Sequence, residues 1–155
     1  LEGFDRTRSR SPPGTTRRQR AKTPLGSAPA ASLILVDTSI WVDHFRSNDA
    51  RLTRFLDNSE VSTHPFVVGE IAVGNLRNRD EILLLLEALP MVVIASHEEA
   101  LMFVANFSLA GRGLGYIDVH LLASVSLTPQ TALWSKDKRL LAVAQDLSLP
   151  TGAPS

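Results

Sequence analysis

The chain has 155 residues, of which 44% are hydrophobic and 21% are charged, and it contains no cysteine. This length and composition predict one globular domain of ordinary type. The missing cysteines exclude a disulfide framework and a thiolate metal site, and they fit a reducing compartment, so we expect a cytoplasmic protein. No apolar stretch approaches the roughly 20 residues that a membrane-spanning helix needs.

The formal net charge of zero hides two oppositely charged segments. Residues 1–30 carry seven basic and two acidic side chains, whereas residues 31–155 carry nine basic and fourteen acidic ones. The first segment is also poor in aliphatic residues, so it cannot bury enough apolar surface to fold. We predict a disordered basic tail or non-native extension at 1–31, the globular domain at 32–150 and a flexible tail at 151–155. A nucleic-acid-binding arm is an alternative interpretation of the basic tail.

From residue 32 onward, apolar runs typical of strands alternate with patterns typical of helices. The predicted elements, in chain order, are a strand at 33–36, a helix at 40–45, a helix around 52–56, a strand at 61–63, a helix that begins at Pro65, a helix at 81–89, a strand at 91–94, a helix that begins near Ser96, a helix at 116–127, a strand at 131–134 and a helix at 136–145. This alternation predicts an α/β fold, a three-layer α/β/α sandwich around a mostly parallel sheet.

The first predicted strand ends in a carboxylate. Residues 33–36 are all aliphatic, which is typical of a strand buried on both faces of a parallel sheet, and Asp37 follows directly. Open α/β sheets bind their ligands at the carboxyl ends of the strands, and a carboxylate there costs free energy unless something binds it. Asp37 is therefore a candidate for a metal or phosphate site. The hydroxyls of Thr38 and Ser39 are candidates to cap the following helix.

Three further acids lie where an α/β sheet could gather them around Asp37. Glu70 belongs to an otherwise apolar helix, Asp118 begins a helix after the glycine-rich loop 111–115, and Asp137 follows the last predicted strand. Each acid alone also fits a simpler role, either as a charge on a helix surface or as an acid in the first turn of a helix. Together, their oxygen ligands suit Mg²⁺, for which Mn²⁺ can substitute.

Four sequence blocks resemble those of the PIN-domain ribonucleases, specifically the VapC-type toxins of bacterial type II toxin–antitoxin pairs. The blocks are LVDTSIW at 35–41, Glu70 within its apolar helix, GLGYID at 113–118 and WSKDKRL at 134–140. They cover nearly all of the predicted domain. The resemblance implies the PIN fold, Mg²⁺-dependent endoribonuclease activity, a homodimer, and a cognate VapB-type antitoxin whose C-terminal segment lies over the acidic groove.

The resemblance also implies roles for individual residues. A metal-activated water would cleave RNA phosphodiesters at a four-carboxylate site. Asp37, Glu70 and Asp118 would contribute most to metal binding, and Asp137 would bind the metal directly or through water. Two hydroxyls would orient these carboxylates through hydrogen bonds, those of Ser39 and Ser135. Basic side chains beside the acidic blocks would contact RNA phosphates, although a solvated helix face explains most of them equally well. These are Arg112, Lys136, Lys138 and Arg139.

Two rival enzyme classes fit the sequence less well. A haloacid dehalogenase-type enzyme needs a second acid where Ser39 stands, and a receiver domain needs an acidic pair that is missing. A non-catalytic PIN-fold protein that binds RNA or acts as a scaffold remains the alternative. A further hypothesis is that the tethered basic tail shields the acidic site.

The remaining polar and aromatic residues carry no clear signal for a site. The histidines show no ligand spacing, and we predict surface or capping positions for His44, His64, His97 and His120. Trp41 is predicted in the core, and Asp43 on the surface.

Overall fold

The computed structural model describes residues 32–152. Three strands and seven helices follow one another along this part of the chain. They are β1 (Leu33–Val36), α1 (Thr38–Ser47), α2 (Ala50–Asp57), β2 (Val61–Ser62), α3 (Pro65–Val73), α4 (Arg79–Glu87), α5 (His97–Asn106), α6 (Tyr116–Leu127), β3 (Thr131–Trp134) and α7 (Lys138–Asp146). The predicted basic tail lies outside the described residues.

The sheet is parallel, with β1 in the centre of the order β2-β1-β3. β1 pairs with β3 over its full length, from Leu33 opposite Thr131 to Val36 opposite Trp134. Residues 34–36 have no exposed surface, which explains why this run is aliphatic throughout. The predicted α/β fold around a parallel sheet is confirmed.

The element boundaries decide where the acidic residues lie. Because β1 and β3 are parallel neighbours, their carboxyl ends meet at one edge of the sheet, where Asp37 and Asp137 follow. α7 begins after the predicted residue 136 because Asp137 is its N-cap. α3, which carries Glu70, begins at Pro65, whose fixed φ suits the first position of a helix.

α6 spans the predicted range and is buried on all sides, since every residue of 119–125 is buried. This burial explains why the helix lacks a polar face. The burial also fixes the first turn of the helix, where Asp118 lies. α5 begins with the capping box that its sequence predicts, in which Ser96 and Glu99 each bond the other's backbone N–H.

The predicted strand at 91–94 is wrong. Met91 forms an isolated bridge to Thr63, and no ladder follows it within the described residues. The N–H of Val93 donates to Thr128 Oγ1 at 2.9 Å and not to a neighbouring strand. Val93 and the residue after it are each 49% exposed. An apolar, β-branched run becomes a strand only where a neighbour pairs with its backbone, and here that neighbour is too short.

The paired backbone extends two residues beyond the predicted end of the domain at residue 150. Thr151 bridges to Leu133, and the N–H of Gly152 donates to the Leu133 carbonyl at 2.9 Å.

Among residues 32–152, no helix combines the length and the apolar character that crossing a membrane would need.

Candidate functional site

Asp37 is fixed at the carboxyl end of β1 by two serines, and its residue surface is 8% exposed. Its Oδ2 accepts hydrogen bonds from Ser39 Oγ at 2.7 Å and from Ser135 Oγ at 2.8 Å. Each serine hydroxyl also accepts a backbone N–H from the segment after β3, that of Lys136 to Ser39 and that of Asp137 to Ser135. The two serines therefore join the ends of β1 and β3 around one carboxylate oxygen.

Glu70 on α3 is held by Thr38, a contact that the sequence did not indicate. Thr38 Oγ1 donates to Glu70 Oε2 at 2.5 Å. The predicted capping of α1 by Thr38 or Ser39 is wrong, because the N-cap of this helix is Asp37 and makes no side-chain cap hydrogen bond. Both hydroxyls bond carboxylates instead. A hydroxyl next to a strand-end acid was the only local signal, and it does not identify a partner 32 residues away.

Asp118 and Asp137 each stabilise the beginning of a helix. Asp118 Oδ2 accepts the N–H of Gly115 at 2.8 Å, in the first turn of α6. Asp137 Oδ1 accepts the N–H groups of Arg139 at 2.8 Å and Leu140 at 3.2 Å, and so caps α7. Each acid therefore has the simpler role of stabilising the start of a helix. This role uses only one of its two carboxylate oxygens.

The four acids act on one another electrostatically at Asp118. Burial raises the pKa of the Asp118 carboxyl above its ordinary value, and the hydrogen bond from the Gly115 N–H opposes this. The negative charges of Asp137, Asp37 and Glu70 raise the pKa further. Carboxylates from four separate parts of the chain thus share one electrostatic environment.

This donor set fits a hard divalent cation. Within the described part of the chain, hydrogen bonds reach one oxygen of each carboxylate, so the second oxygen of each is available to a ligand. As they stand, no three Asp, Glu or His side chains among residues 32–152 are gathered closely enough to hold an ion. Carboxylates repel one another, and two like charges 4 Å apart cost about 4 kcal/mol at an effective dielectric near 20. A cation would reverse the sign of that interaction and favour closer approach.

Two of the basic candidates for RNA contact are engaged in ion pairs. Lys136 Nζ pairs with Asp43, whose side chain is 39% exposed. Arg112 Nη2 lies 2.5 Å from Asp146 Oδ2 on α7. Each of these charges is therefore partly neutralised by an acidic partner.

The other two basic candidates lie beside Asp137. Arg139 packs against Gly113, where an added Cβ would lie 3.3 Å from the arginine side chain. Gly113 also has a φ of +76°, a left-handed conformation that favours glycine. The glycine-rich loop therefore makes room for Arg139. Lys138 is exposed at the start of α7, next to the capping aspartate.

The histidines differ from the prediction at His120. His64 does cap a helix, since its Nδ1 accepts the Phe66 N–H at 3.0 Å, but it is also completely buried. His120 is 2% exposed and caps no helix, so neither of the predicted positions applies to it. Its ring nitrogens have no hydrogen-bond partner among the described residues. Its place within the mostly apolar run 119–125 was a signal for burial. Trp41, 3% exposed, lies in the core as predicted.

Comparisons with known proteins agree with this fold. A family model described as PIN domain matches residues 34–146. Ribonuclease VapC32 of Mycobacterium tuberculosis, in strains CDC 1551 / Oshkosh and ATCC 25618 / H37Rv, is 44% identical over 114 residues, which are 74% of this chain and 92% of the relative. The crystal structure of FitAcB from Neisseria gonorrhoeae shares the fold, with a TM-score of 0.52 and 14% identity over 77% of this chain and 96% of that chain. The chain therefore belongs to the PIN-domain family, among the VapC-type ribonucleases.

Proposed function

We propose that this protein is an Mg²⁺-dependent endoribonuclease, the toxin of a type II toxin–antitoxin pair, and that it hydrolyses RNA phosphodiesters at Asp37, Glu70, Asp118 and Asp137. The names of the VapC32 relatives support the RNA substrate and the reaction. The observation that carries the proposal is the convergence of four carboxylates from separate elements. Burial raises the pKa of Asp118, and the charges of Asp137, Asp37 and Glu70 raise it further. Such mutual repulsion is unfavourable unless a cation offsets it.

The chain's own residues hold and orient the proposed ligands. Ser39 and Ser135 fix one oxygen of Asp37, and Thr38 fixes one oxygen of Glu70. Backbone N–H groups do the same for the other two acids. When bound, a divalent cation would supply an activated water and stabilise charge on the phosphodiester. Lys138 and Arg139 are the better placed phosphate contacts, because Lys136 and Arg112 already have acidic partners.

We further propose a VapB-type antitoxin and a homodimer as partners. An apolar cleft of about 290 Å³ between α1, α2 and α4 supports a protein partner. Its lining includes Trp41 and His44, whose Nε1 and Nδ1 are buried without a hydrogen-bond partner among the described residues. The exposed Leu84 and Leu85 extend this apolar surface along α4. A partner helix with an apolar face would cover this cleft and these leucines.

Metal removal tests the proposal directly. We expect the purified protein, free of antitoxin, to cleave total cellular RNA in Mg²⁺, to lose this activity in EDTA, and to regain it when Mn²⁺ is added. The melting temperature should rise with Mn²⁺, because a ligand that binds only the folded state stabilises it by about 2.7 kcal/mol at a hundredfold excess over Kd. Cleavage that persists in EDTA would contradict the metal site. A protein that neither cleaves RNA nor binds Mn²⁺ would match the scaffold alternative.

Replacing Ser135 with alanine is expected to weaken Mn²⁺ binding and slow RNA cleavage about 10- to 100-fold. The change removes one of the two hydroxyl donors to Asp37 and the acceptor of the Asp137 N–H. Isothermal titration with Mn²⁺ gives the affinity, which a purely structural role of this serine would not alter. Ser126→Ala, an exposed serine on α6, is the matched control and should behave like the unaltered protein. Equal Mn²⁺ affinity in the two variants would rule out the orienting role.

A further inference from the structure

A cleft lined mainly by apolar groups adjoins the proposed metal site. It has a volume of about 360 Å³ and lies between α3 and α6. α3 contributes Phe66, Gly69 and Glu70 to its lining, and α6 contributes Tyr116 and the residue after it. Glu70 therefore belongs both to the acidic site and to the wall of this cleft, which we call the aromatic cleft. A molecule whose phosphate lay at the carboxylates would have this cleft within reach of its neighbouring groups.

Tyr116 is held rigidly although its residue surface is 46% exposed. Its hydroxyl and His97 Nδ1 lie 2.6 Å apart and form a hydrogen bond. Its ring meets that of His120 edge-on, with ring centroids 4.5 Å apart and an interplanar angle of 79°. The Phe66 ring makes a third contact, with its centroid 6.3 Å from the centroid of the Tyr116 ring. A large aromatic ring that is exposed yet fixed loses little conformational entropy when a ligand packs on it.

We propose that the aromatic cleft binds an unpaired nucleobase of the RNA, next to the phosphodiester that is cleaved, and that this base stacks on Tyr116. The inference rests on the proposed function, because the metal site supplies the phosphate position. Tyr116 lies two residues before Asp118 on the first turn of α6, so the ring and a proposed metal ligand have a fixed relation. A base can enter only if it is unpaired, so the substrate region is single-stranded RNA.

An RNA base suits this cleft better than an apolar protein segment. The cleft is apolar except for Glu70. Thr38 already donates to one oxygen of this carboxylate, and an entirely apolar protein segment packed there would bury the other oxygen without a partner. A nucleotide brings a planar apolar face for the ring and a phosphate, with its cation, for the carboxylates. Stacking on an aromatic ring tolerates every base, so this contact would position the RNA and select for single strands rather than read one sequence.

Gly69 provides a way to fill the cleft without touching Tyr116. It lies within α3, and a Cβ at this position would meet no atom within 4 Å. A larger side chain here therefore extends into open space and raises helix propensity. Gly69→Leu should occupy the aromatic cleft, and Gly69→Ala is its matched control. Tyr116→Leu removes the stacking ring, and Tyr116→Phe keeps the ring while losing the bond to His97.

The test is the affinity of the full chain for fluorescein-labelled, unstructured RNAs of about 12 nucleotides. Binding is followed by fluorescence anisotropy with Ca²⁺ in place of Mg²⁺, with the RNA checked for integrity, and thermal melting confirms that each variant is folded. Tyr116→Leu and Gly69→Leu should each raise Kd about 5- to 100-fold, whereas Tyr116→Phe and Gly69→Ala should stay near the unaltered value. RNA that contains 2-aminopurine should lose fluorescence on binding to the unaltered protein and to Tyr116→Phe, but not on binding to Tyr116→Leu, which lacks the aromatic ring.

The outcomes separate this proposal from the proposed function. If RNA is cleaved but all folded variants bind it equally well, base stacking is refuted and the ribonuclease assignment stands. If the stacking signal is seen but no RNA is cleaved under any metal condition, the cleft binds RNA and the ribonuclease assignment fails. If Gly69→Leu changes the oligomeric state and leaves RNA affinity unchanged, the cleft is a contact between protein chains and the proposal is overturned. Failure of the unaltered protein to bind these RNAs also overturns it.

Discussion

Replacing Asp118 with asparagine is expected to abolish RNA cleavage and, at the same time, to make the metal-free protein more stable. Loss of a group that only supports a metal ligand typically costs about 10- to 100-fold in activity, so loss of a ligand itself should exceed about 100-fold. In EDTA, however, the melting temperature should rise. Gel analysis of RNA products and thermal melting with and without Mn²⁺ measure both effects.

The stability gain follows from the sign of the pKa shift. The pKa of the Asp118 carboxyl is raised by burial and by the charges of Asp137, Asp37 and Glu70. A carboxyl with a raised pKa contributes stability at low pH, and this contribution is lost as the pH rises through the folded-state pKa. At neutral pH the ionised side chain is therefore unfavourable. Asparagine removes the charge, and its carbonyl oxygen can still accept the Gly115 N–H.

Mn²⁺ should reverse the order of stability. The unaltered protein gains stability when the cation offsets the repulsion among its acids, whereas the Asp118→Asn variant gains much less. Asp80→Asn is the matched control, because its side chain is 96% exposed in the first turn of α4. An acid at that position is worth about 0.3 to 1 kcal/mol, so its removal should slightly lower stability and leave cleavage intact. An Asp118→Asn protein that cleaves RNA normally, or melts earlier than the unaltered protein in EDTA, would contradict the site.

The sequence correctly predicted those helices and strands whose residues are mostly buried. β1, β3 and α6 begin and end as predicted, because the two strands are almost wholly buried and residues 119–125 of α6 are buried. The run at 91–94 looks the same in sequence but is half exposed, and it pairs with its neighbour only through the isolated bridge of Met91. Whether such a run becomes a strand depends on the length of its neighbour, here the two residues of β2, and composition carries no information about that neighbour.

The candidate site was predictable in its acids but not in the contacts that hold them. Each acid follows a recognisable local pattern, a strand end or a helix start. The hydrogen bonds of Thr38 with Glu70 and of Ser135 with Asp37 join residues 32 and 98 positions apart. Such contacts depend on how α3 and β3 pack beside β1, so they follow only from the tertiary structure. The partners of Lys136 and Arg112 are non-local for the same reason.

Acidification is expected to destabilise the protein, because His64 binds a proton more readily in the unfolded chain. The loss of stability should begin well above the pH range in which ordinary carboxyl groups titrate. Burial, followed by the charge of His120, lowers the pKa of His64 from 6.5 to about 4. The unfolded chain therefore binds a proton at pH values where the folded chain does not. Stability is complete above about pH 6.5 and falls as the pH drops toward about 4, a total of about 3 kcal/mol, of which about 2 kcal/mol is lost by pH 5.

The structure gives this shift a specific physical cause. His64 is fully buried, and its Nδ1 accepts the N–H of Phe66 at the start of α3. A proton on Nδ1 would break that cap and place a positive charge in the core, beside the buried ring of His120. Because α3 carries Glu70, weakening its first turn would also loosen one wall of the acidic site. Acid sensitivity of the fold and of the site should therefore appear together.

His64→Asn separates the titration of this residue from its packing. Asparagine is a strong N-cap residue and keeps an acceptor for the Phe66 N–H, so α3 can still begin at the same position. We expect the variant to be less stable near pH 8, because the ring is lost, but to lose about 2 kcal/mol less between about pH 8 and pH 5 than the unaltered protein. Some dependence of the stability on pH should remain in this variant, since burial also lowers the pKa of His120. Urea unfolding at the two pH values measures the difference, with His97→Asn, an exposed histidine, as control. If His64→Asn shows the same pH dependence as the unaltered protein, His64 is not the group that couples this fold to acid.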